Sequence, residues 1–156
     1  MSQASLTLLN VFGSPVVESG AQDTNLDVFG GFSAANWRRK PLFYGSGKSF
    51  LWRLPPGSAY GEGDAVGRGK LERYTWTRMN SNFQLSSSNA IGMGGTTDEQ
   101  ANQVFGYGLW LDGGMNFGCT HPCATYDNPS LCAAAETSQV GRFDVQAVEV
   151  WALCPS

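Results

Sequence analysis

The densest chemistry in this chain is the run Cys119-Thr120-His121-Pro122-Cys123, with Cys132 nine residues further on. His121 is the only histidine. Three thiols and one imidazole suffice by count for a zinc site. The spacing opposes one: on a strand, positions 119, 121 and 123 share a face but stand about 7 Å apart at each step, too far for a single ion. No metal is therefore expected. The zinc-deaminase pattern fails as well, because it needs His-x-Glu and Pro-Cys-x-x-Cys, and Tyr126 stands where that second cysteine belongs. What remains is thiol chemistry. Cys123 with His121 two residues away is a candidate redox-sensitive pair, since a nearby imidazolium lowers a thiol pKa. The plainer reading is a small buried thiol and a hydrogen-bonded histidine in a turn. Any Ser-His-Asp or Cys-His-Asp mechanism would run through His121, with Asp112 or Asp127 to orient it, and spacing fixes neither.

Other patterns fall away on inspection. Gly47-Lys48-Ser49 resembles the end of a phosphate-binding loop, but Leu42 occupies the position of the first glycine. Residues 49–54 also read as strand, so no helix N-terminus is offered to a phosphate. Gly92-Met93-Gly94-Gly95 has Thr97 where a dinucleotide fingerprint has its third glycine. No Gly-x-Ser-x-Gly elbow occurs in the sequence, so a hydrolase nucleophile of that type is missing. Neither catalytic residues nor a cofactor are expected.

The elements that must position these residues read as short strands. Apolar segments at 5–12, 26–33, 49–54, 71–77, 82–85, 89–93, 104–112 and 142–154 alternate with Gly, Pro and Ser punctuation. Gly13-Ser14-Pro15 is expected to stop the first, and Pro55-Pro56 the third. The five-glycine stretch 57–70 reads as a surface loop, and 96–103 as a polar insertion. In the last segment Phe143, Val145 and Ala147 share one parity and Val148, Val150 and Ala152 the other. That slip is what a β-bulge produces. Only 130–138 favours helix, with Ser130 as N-cap. Trp110 and Trp151, each at the apolar centre of a strand, are expected in the core. Seven or eight such strands argue a β-sandwich.

Composition agrees. At 156 residues the chain is one domain's length. Charged residues make up 15 %, against about 25 % in an average domain, and there are 20 glycines. Net charge is −3, which excludes generic nucleic-acid binding as the default. The apolar runs are too short for a membrane span, and no basic segment precedes the first of them as in a secretory signal. Four cysteines are then most simply reduced thiols in a cytoplasmic setting, an organelle surface included.

Taken in order, Val28-Phe29-Gly30-Gly31-Phe32, Phe43-Tyr44-Gly45, Tyr74-Thr75-Trp76-Thr77, Ala90-Ile91-Gly92-Met93-Gly94-Gly95, Gly108-Leu109-Trp110-Leu111-Asp112, Cys123-Ala124-Thr125-Tyr126-Asp127-Asn128 and Val148-Glu149-Val150-Trp151 resemble a TLDc domain. The resemblance runs from about residue 5 to 153 and makes 1–156 a single TLDc-like domain without the family's usual N-terminal helical segment. It implies a two-sheet antiparallel β-sandwich with a few short helices. It marks Gly30, Phe32, Gly45, Gly92, Gly94, Gly95, Trp110, Asp112, Glu149 and Trp151 as structural signature positions, and it sets His121 and Cys123 where the family often has Ser-His-x-Cys. The function it implies is a non-enzymatic protein-interaction module that binds and regulates the vacuolar-type proton ATPase, or a comparable large complex, and supports oxidative-stress resistance. The alternatives are a permanent structural subunit of a larger assembly and a peroxide scavenger working through Cys123.

Overall fold

A computed structural model describes residues 6–16, 26–54, 71–132 and 141–153. The described residues form eleven strands: β1 (Leu6–Pro15), β2 (Asp27–Ser33), β3 (Phe50–Arg53), β4 (Glu72–Thr75), β5 (Gln84–Ser86), β6 (Ala90–Met93), β7 (Thr96–Asp98), β8 (Gln103–Phe105), β9 (Leu109–Asp112), β10 (Phe117–Thr120) and β11 (Gly141–Leu153). Among the described residues there is no helix. Ser130–Cys132, the start of the expected helix, are non-helical, and 133–138 lie outside the described residues, as do the 57–70 loop and Cys154.

Nine strands form one antiparallel sheet in the order β4-β3-β2-β1-β11-β10-β9-β6-β5, and β7 and β8 form a separate hairpin. Strands far apart in that order touch. Gly31 of β2 faces the Met93 sulfur of β6, Gly108 faces Leu51 of β3, and the Ser33 hydroxyl at the end of β2 donates to Gln84 Oε1 of β5. The sheet therefore folds over on itself, and its two halves enclose a core that includes Val11, Phe29, Leu51, Met93, Leu111 and Phe143. Each such side chain contributes on the order of 1.5–3 kcal/mol on burial. The T-shaped contact of Phe29 with Phe143, centroids 4.8 Å apart, joins β2 to the long β11.

β11 makes the turnover possible. Gly141–Asp144 pair with β10, and β11 from Phe143 to Leu153 pairs with β1. Phe12 lies opposite Ala147 but Gly13 lies opposite Val145, so Gln146 is the extra residue of a bulge. This is the phase slip visible in the sequence. The bulge lets Phe143 and Val145 before it, and Val148 after it, all face the core.

Several sequence expectations need correction. β1 does not stop at Gly13-Ser14-Pro15 but includes them. Its pairing with β2 ends at Gly13, so beyond that point one side of β1 has no strand partner among the described residues, and there a proline lacking its N–H is tolerated. Residues 104–112 are not one strand: Gly106, at φ +60, and Gly108 separate β8 from β9. The polar insertion is the β7–β8 hairpin, which turns at Asn102 with φ +50. Trp151 is not a core residue. It lies opposite Leu8 on the outer face and is 57 % exposed. Trp110 is half-buried on the outer face of β9, its ring 5.8 Å from Phe117. Both stand at the centre of apolar runs, but their strand neighbours Val150 and Leu109/Leu111 carry the core-facing parity.

Candidate functional site

After β10 the chain enters the tight segment 121–132, where the candidate thiol lies. The His121 N–H donates to the Tyr107 carbonyl at 2.9 Å, and the Asp127 N–H to the Cys123 carbonyl at 2.9 Å. Asn128 ties the two candidate residues together. Its Nδ2 donates to the His121 carbonyl at 2.9 Å, while Cys123 Sγ donates to its Oδ1 at 3.0 Å. The structure thus brings Cys123 and His121 into one turn, but through the backbone of the histidine and a neutral amide.

The electrostatics of this turn oppose thiolate chemistry. Cys123 is buried, and burial pushes its thiol pKa up. Burial pushes His121 the other way, below the usual imidazole value, with the charge of Arg142 acting in the same sense. Both groups are held neutral, so no imidazolium stands ready to favour a thiolate. The Sγ atom is also walled in: a Cβ added at Gly94 would come within 2.7 Å of it, and one at Gly108 within 3.0 Å. His121 Nδ1 is buried and, among the described residues, has no hydrogen-bond partner. Cys119 is half-buried, and its pKa is likewise raised by burial. Among the described residues no three His, Cys, Asp or Glu side chains stand close enough to hold a metal ion.

The signature positions are spread over the fold. Gly94 and Gly95 are buried beside Tyr126 and Thr125, and Gly92, also buried, packs against Leu109, Tyr107 and Trp110. Gly94 has φ +76, a conformation that strains any residue with a Cβ. The Gly95 N–H donates to Thr125 Oγ1 at 3.0 Å, and Thr125 Oγ1 donates to Asn80 Oδ1 at 2.7 Å. Gly45, at φ +115, packs against Gln84. On the outer face, Gly30 lies under Trp52, where a Cβ would collide with the Leu9 carbonyl. There Phe32 stacks on Phe50 at 4.9 Å, and Glu149 Oε2 accepts from Trp151 Nε1 at 3.0 Å. Asp112 caps the β9–β10 turn: its carboxylate accepts from the N–H groups of Gly114 at 3.1 Å, Asn116 at 2.7 Å and Phe117 at 3.0 Å. Those bonds, the one from Phe117 foremost, lower its pKa.

Sequence reasoning missed two arrangements. Arg53 Nε donates to Glu72 Oε2 at 2.6 Å, and the Tyr74 hydroxyl donates to the same oxygen. Arg53 also reaches the Ser130 carbonyl at 2.9 Å. Burial, then the bond to Glu72, pushes the tyrosine pKa up to about 12, while that bond, followed by the one from Arg53, lowers Glu72. The i, i+2 spacing of Glu72 and Tyr74 on one strand was its only sequence signal. The second arrangement is the far end of the β1–β11 pair. It carries apolar side chains on both faces that stay exposed: Val150 at 64 %, Trp151 at 57 % and Leu153 at 46 %. On the inner face a cleft of about 210 Å³ opens, lined by Thr7, Leu9 and Val150 on one half of the sandwich and Trp37, Ser86 and Ile91 on the other.

The folded-over antiparallel sheet encloses Cys123 and leaves apolar side chains exposed at the β1–β11 end. The TLDc domain family matches residues 4–154, and the chain belongs to that family. It is 32 % identical over 143 residues to the MTOR-associated protein MEAK7 of Xenopus laevis, covering 85 % of this chain and 25 % of that protein. It is 28 % identical over 131 residues to oxidation resistance protein 1 of Bos taurus, covering 84 % and 12 %. With oxidation resistance protein 1 of Yarrowia lipolytica it shares 29 % identity over 125 residues, covering 80 % and 44 %. The chain thus spans less than half the length of each of these relatives.

Proposed function

We propose that this domain is a non-enzymatic protein-interaction module, that its partner is the vacuolar-type proton ATPase, and that through this partner it supports resistance to oxidative stress at the cytoplasmic face of an organelle. The observation that carries this reading is the β1–β11 end, where Val150, Trp151 and Leu153 are exposed together. Apolar and aromatic side chains clustered on a surface are what protein interfaces bury. The names of the relatives, oxidation resistance and MTOR association, agree with a regulatory role exerted through partners. The neutral, enclosed Cys123 argues against protection by direct peroxide scavenging, which needs an accessible thiolate. Among the described residues no helix is long and apolar enough to cross a membrane. Affinity capture from lysate tests the proposal. Recovery of proton-ATPase subunits by wild-type protein, reduced for Trp151→Ser, is the expected result. Their absence from the specifically recovered proteins removes the named partner.

A further inference from the structure

The cleft at the β1–β11 end has a chemical character of its own. Leu9, Trp37, Ile91 and Val150 give it apolar walls, with Thr7 and Ser86 as polar lining residues. At about 210 Å³ it falls below the roughly 300–1,000 Å³ of cofactor and drug-sized ligand sites. A cavity of about 150 Å³ admits a benzene ring. The space therefore suits one or two apolar side chains and not a free small molecule of ordinary size.

A basic segment adjoins the cleft and forms its rim on the Trp37 side in sequence. Trp37 is followed directly by Arg38, Arg39 and Lys40, three of the ten Lys and Arg residues in a chain of net charge −3. This segment is fastened to the cleft wall, because the Lys40 N–H donates to the carbonyl of Ser86, itself a lining residue, at 2.9 Å. Arg38 and Lys40 are further held over the Tyr44 ring, 5.8 and 5.5 Å from its centroid, and the Arg38 N–H donates to the Tyr44 hydroxyl at 2.7 Å. Arg38 and Arg39 are exposed, and among the described residues neither is salt-bridged to a carboxylate.

We propose that the cleft and this basic rim dock an acidic amphipathic segment of a partner protein. One or two apolar side chains enter between Val150 and Ile91, and flanking Asp or Glu residues meet Arg38, Arg39 and Lys40. This gives the partner chemistry of the interaction reading above and rests on it. Apolar burial supplies most of the affinity, and the opposed charges supply orientation and association rate.

The test is fluorescence anisotropy with a labelled helical peptide carrying leucines on one face and glutamates on the other, and a matched peptide with lysines for glutamates. Wild-type protein should bind the glutamate peptide at least about tenfold more tightly than the lysine peptide. Val150→Asp, at an exposed position, should weaken that binding by about tenfold. The double change Arg38→Glu and Arg39→Glu should reverse the preference between the peptides. Equal affinity for both peptides, or no binding of either, overturns the proposal. So does self-association in ultracentrifugation that Val150→Asp abolishes, which would make a second copy the occupant. The two readings separate in capture experiments. If both variants recover the partner that wild type recovers, the cleft assignment falls and the interaction module stands. If the glutamate peptide binds as expected but proton-ATPase subunits are not recovered, the cleft stands and the named partner falls.

Discussion

A thiolate needs water or a positive charge beside it, and Cys123 has a neutral amide and a closed wall of backbone instead. Because burial raises its pKa, the reactive form is scarce at neutral pH, and the reagent must wait for the turn to open. Alkylation of Cys123 by iodoacetamide should therefore be at least about a hundredfold slower in the folded protein than in the denatured chain. Peptide mapping after timed quenching measures this, and a rate matching that of the denatured chain would make Cys123 a reactive thiol after all. His121 gives a pH signature of opposite origin. Burial lowers its pKa below the ordinary imidazole value of about 6.5, so the unfolded chain binds a proton that the folded chain resists. Stability from this source is complete above about pH 6.5 and falls as the pH drops through the window down to the lowered folded value. Glu72 and Asp112, whose pKa values are also lowered, lose their contributions only in the more acidic carboxylate range. Melting curves of His121→Gln should accordingly be flatter than wild type just below pH 6.5, and identical slopes there would place the imidazole in solvent. At this scale the sequence showed which residues were neighbours. It did not show their burial, because the enclosing atoms come from Gly94, Gly108 and Asn128, which sequence spacing alone does not place around the thiol.

Elements were more legible than side-chain environments, since alternation is a local property and enclosure is not. Most of the strand segments read from alternation appear within a residue or two, and the misreadings arose where the stopping power of glycine and proline was misjudged, too high in β1 and too low between β8 and β9. β1 runs through Gly13-Ser14-Pro15 because β11 stays paired with it there, and β8 separates from β9 where Gly106 takes a left-handed conformation. The bulge at Gln146 was legible because two apolar sets of opposite parity meet at one point. It also makes a sharp prediction. Val145 and Val148 differ in parity yet both pack against the core, while Gln146 and Ala147 between them are exposed. Val145→Asp and Val148→Asp should each cost about 2–3 kcal/mol through an unpaired, partly buried charge, whereas Gln146→Asp and Ala147→Asp should stay within about 0.5 kcal/mol. Denaturant titration compares the four. Sensitivity at only one of the two valines would mean that β11 runs as a regular strand.

The described residues form a nine-stranded sheet folded against itself with a separate β7–β8 hairpin, and the fold leaves the β1–β11 end reaching past the enclosed core. A reading of apolar runs alone puts Trp151 inside. The register puts it opposite Leu8 on the outer face, with Glu149 accepting its indole N–H. Nothing local distinguishes it from a core tryptophan, because its burial depends on whether the opposite half of the sandwich covers that face. The two positions can be separated by stability. Phe29 is fully buried between β1, β3 and Phe143, and Phe29→Ala should cost roughly 3–5 kcal/mol. For a domain of this size that lowers Tm by on the order of 10 °C. Trp151, already more than half in water, gives up little on truncation. Trp151→Ala should shift Tm by no more than about 2 °C, corresponding to less than about 1 kcal/mol. If the exposed end is a surface kept for a partner, the same change should still weaken partner capture while stability is untouched. A fall in Tm comparable to that of Phe29→Ala would show that Trp151 is covered within the chain and that this end of the sheet is not free to bind.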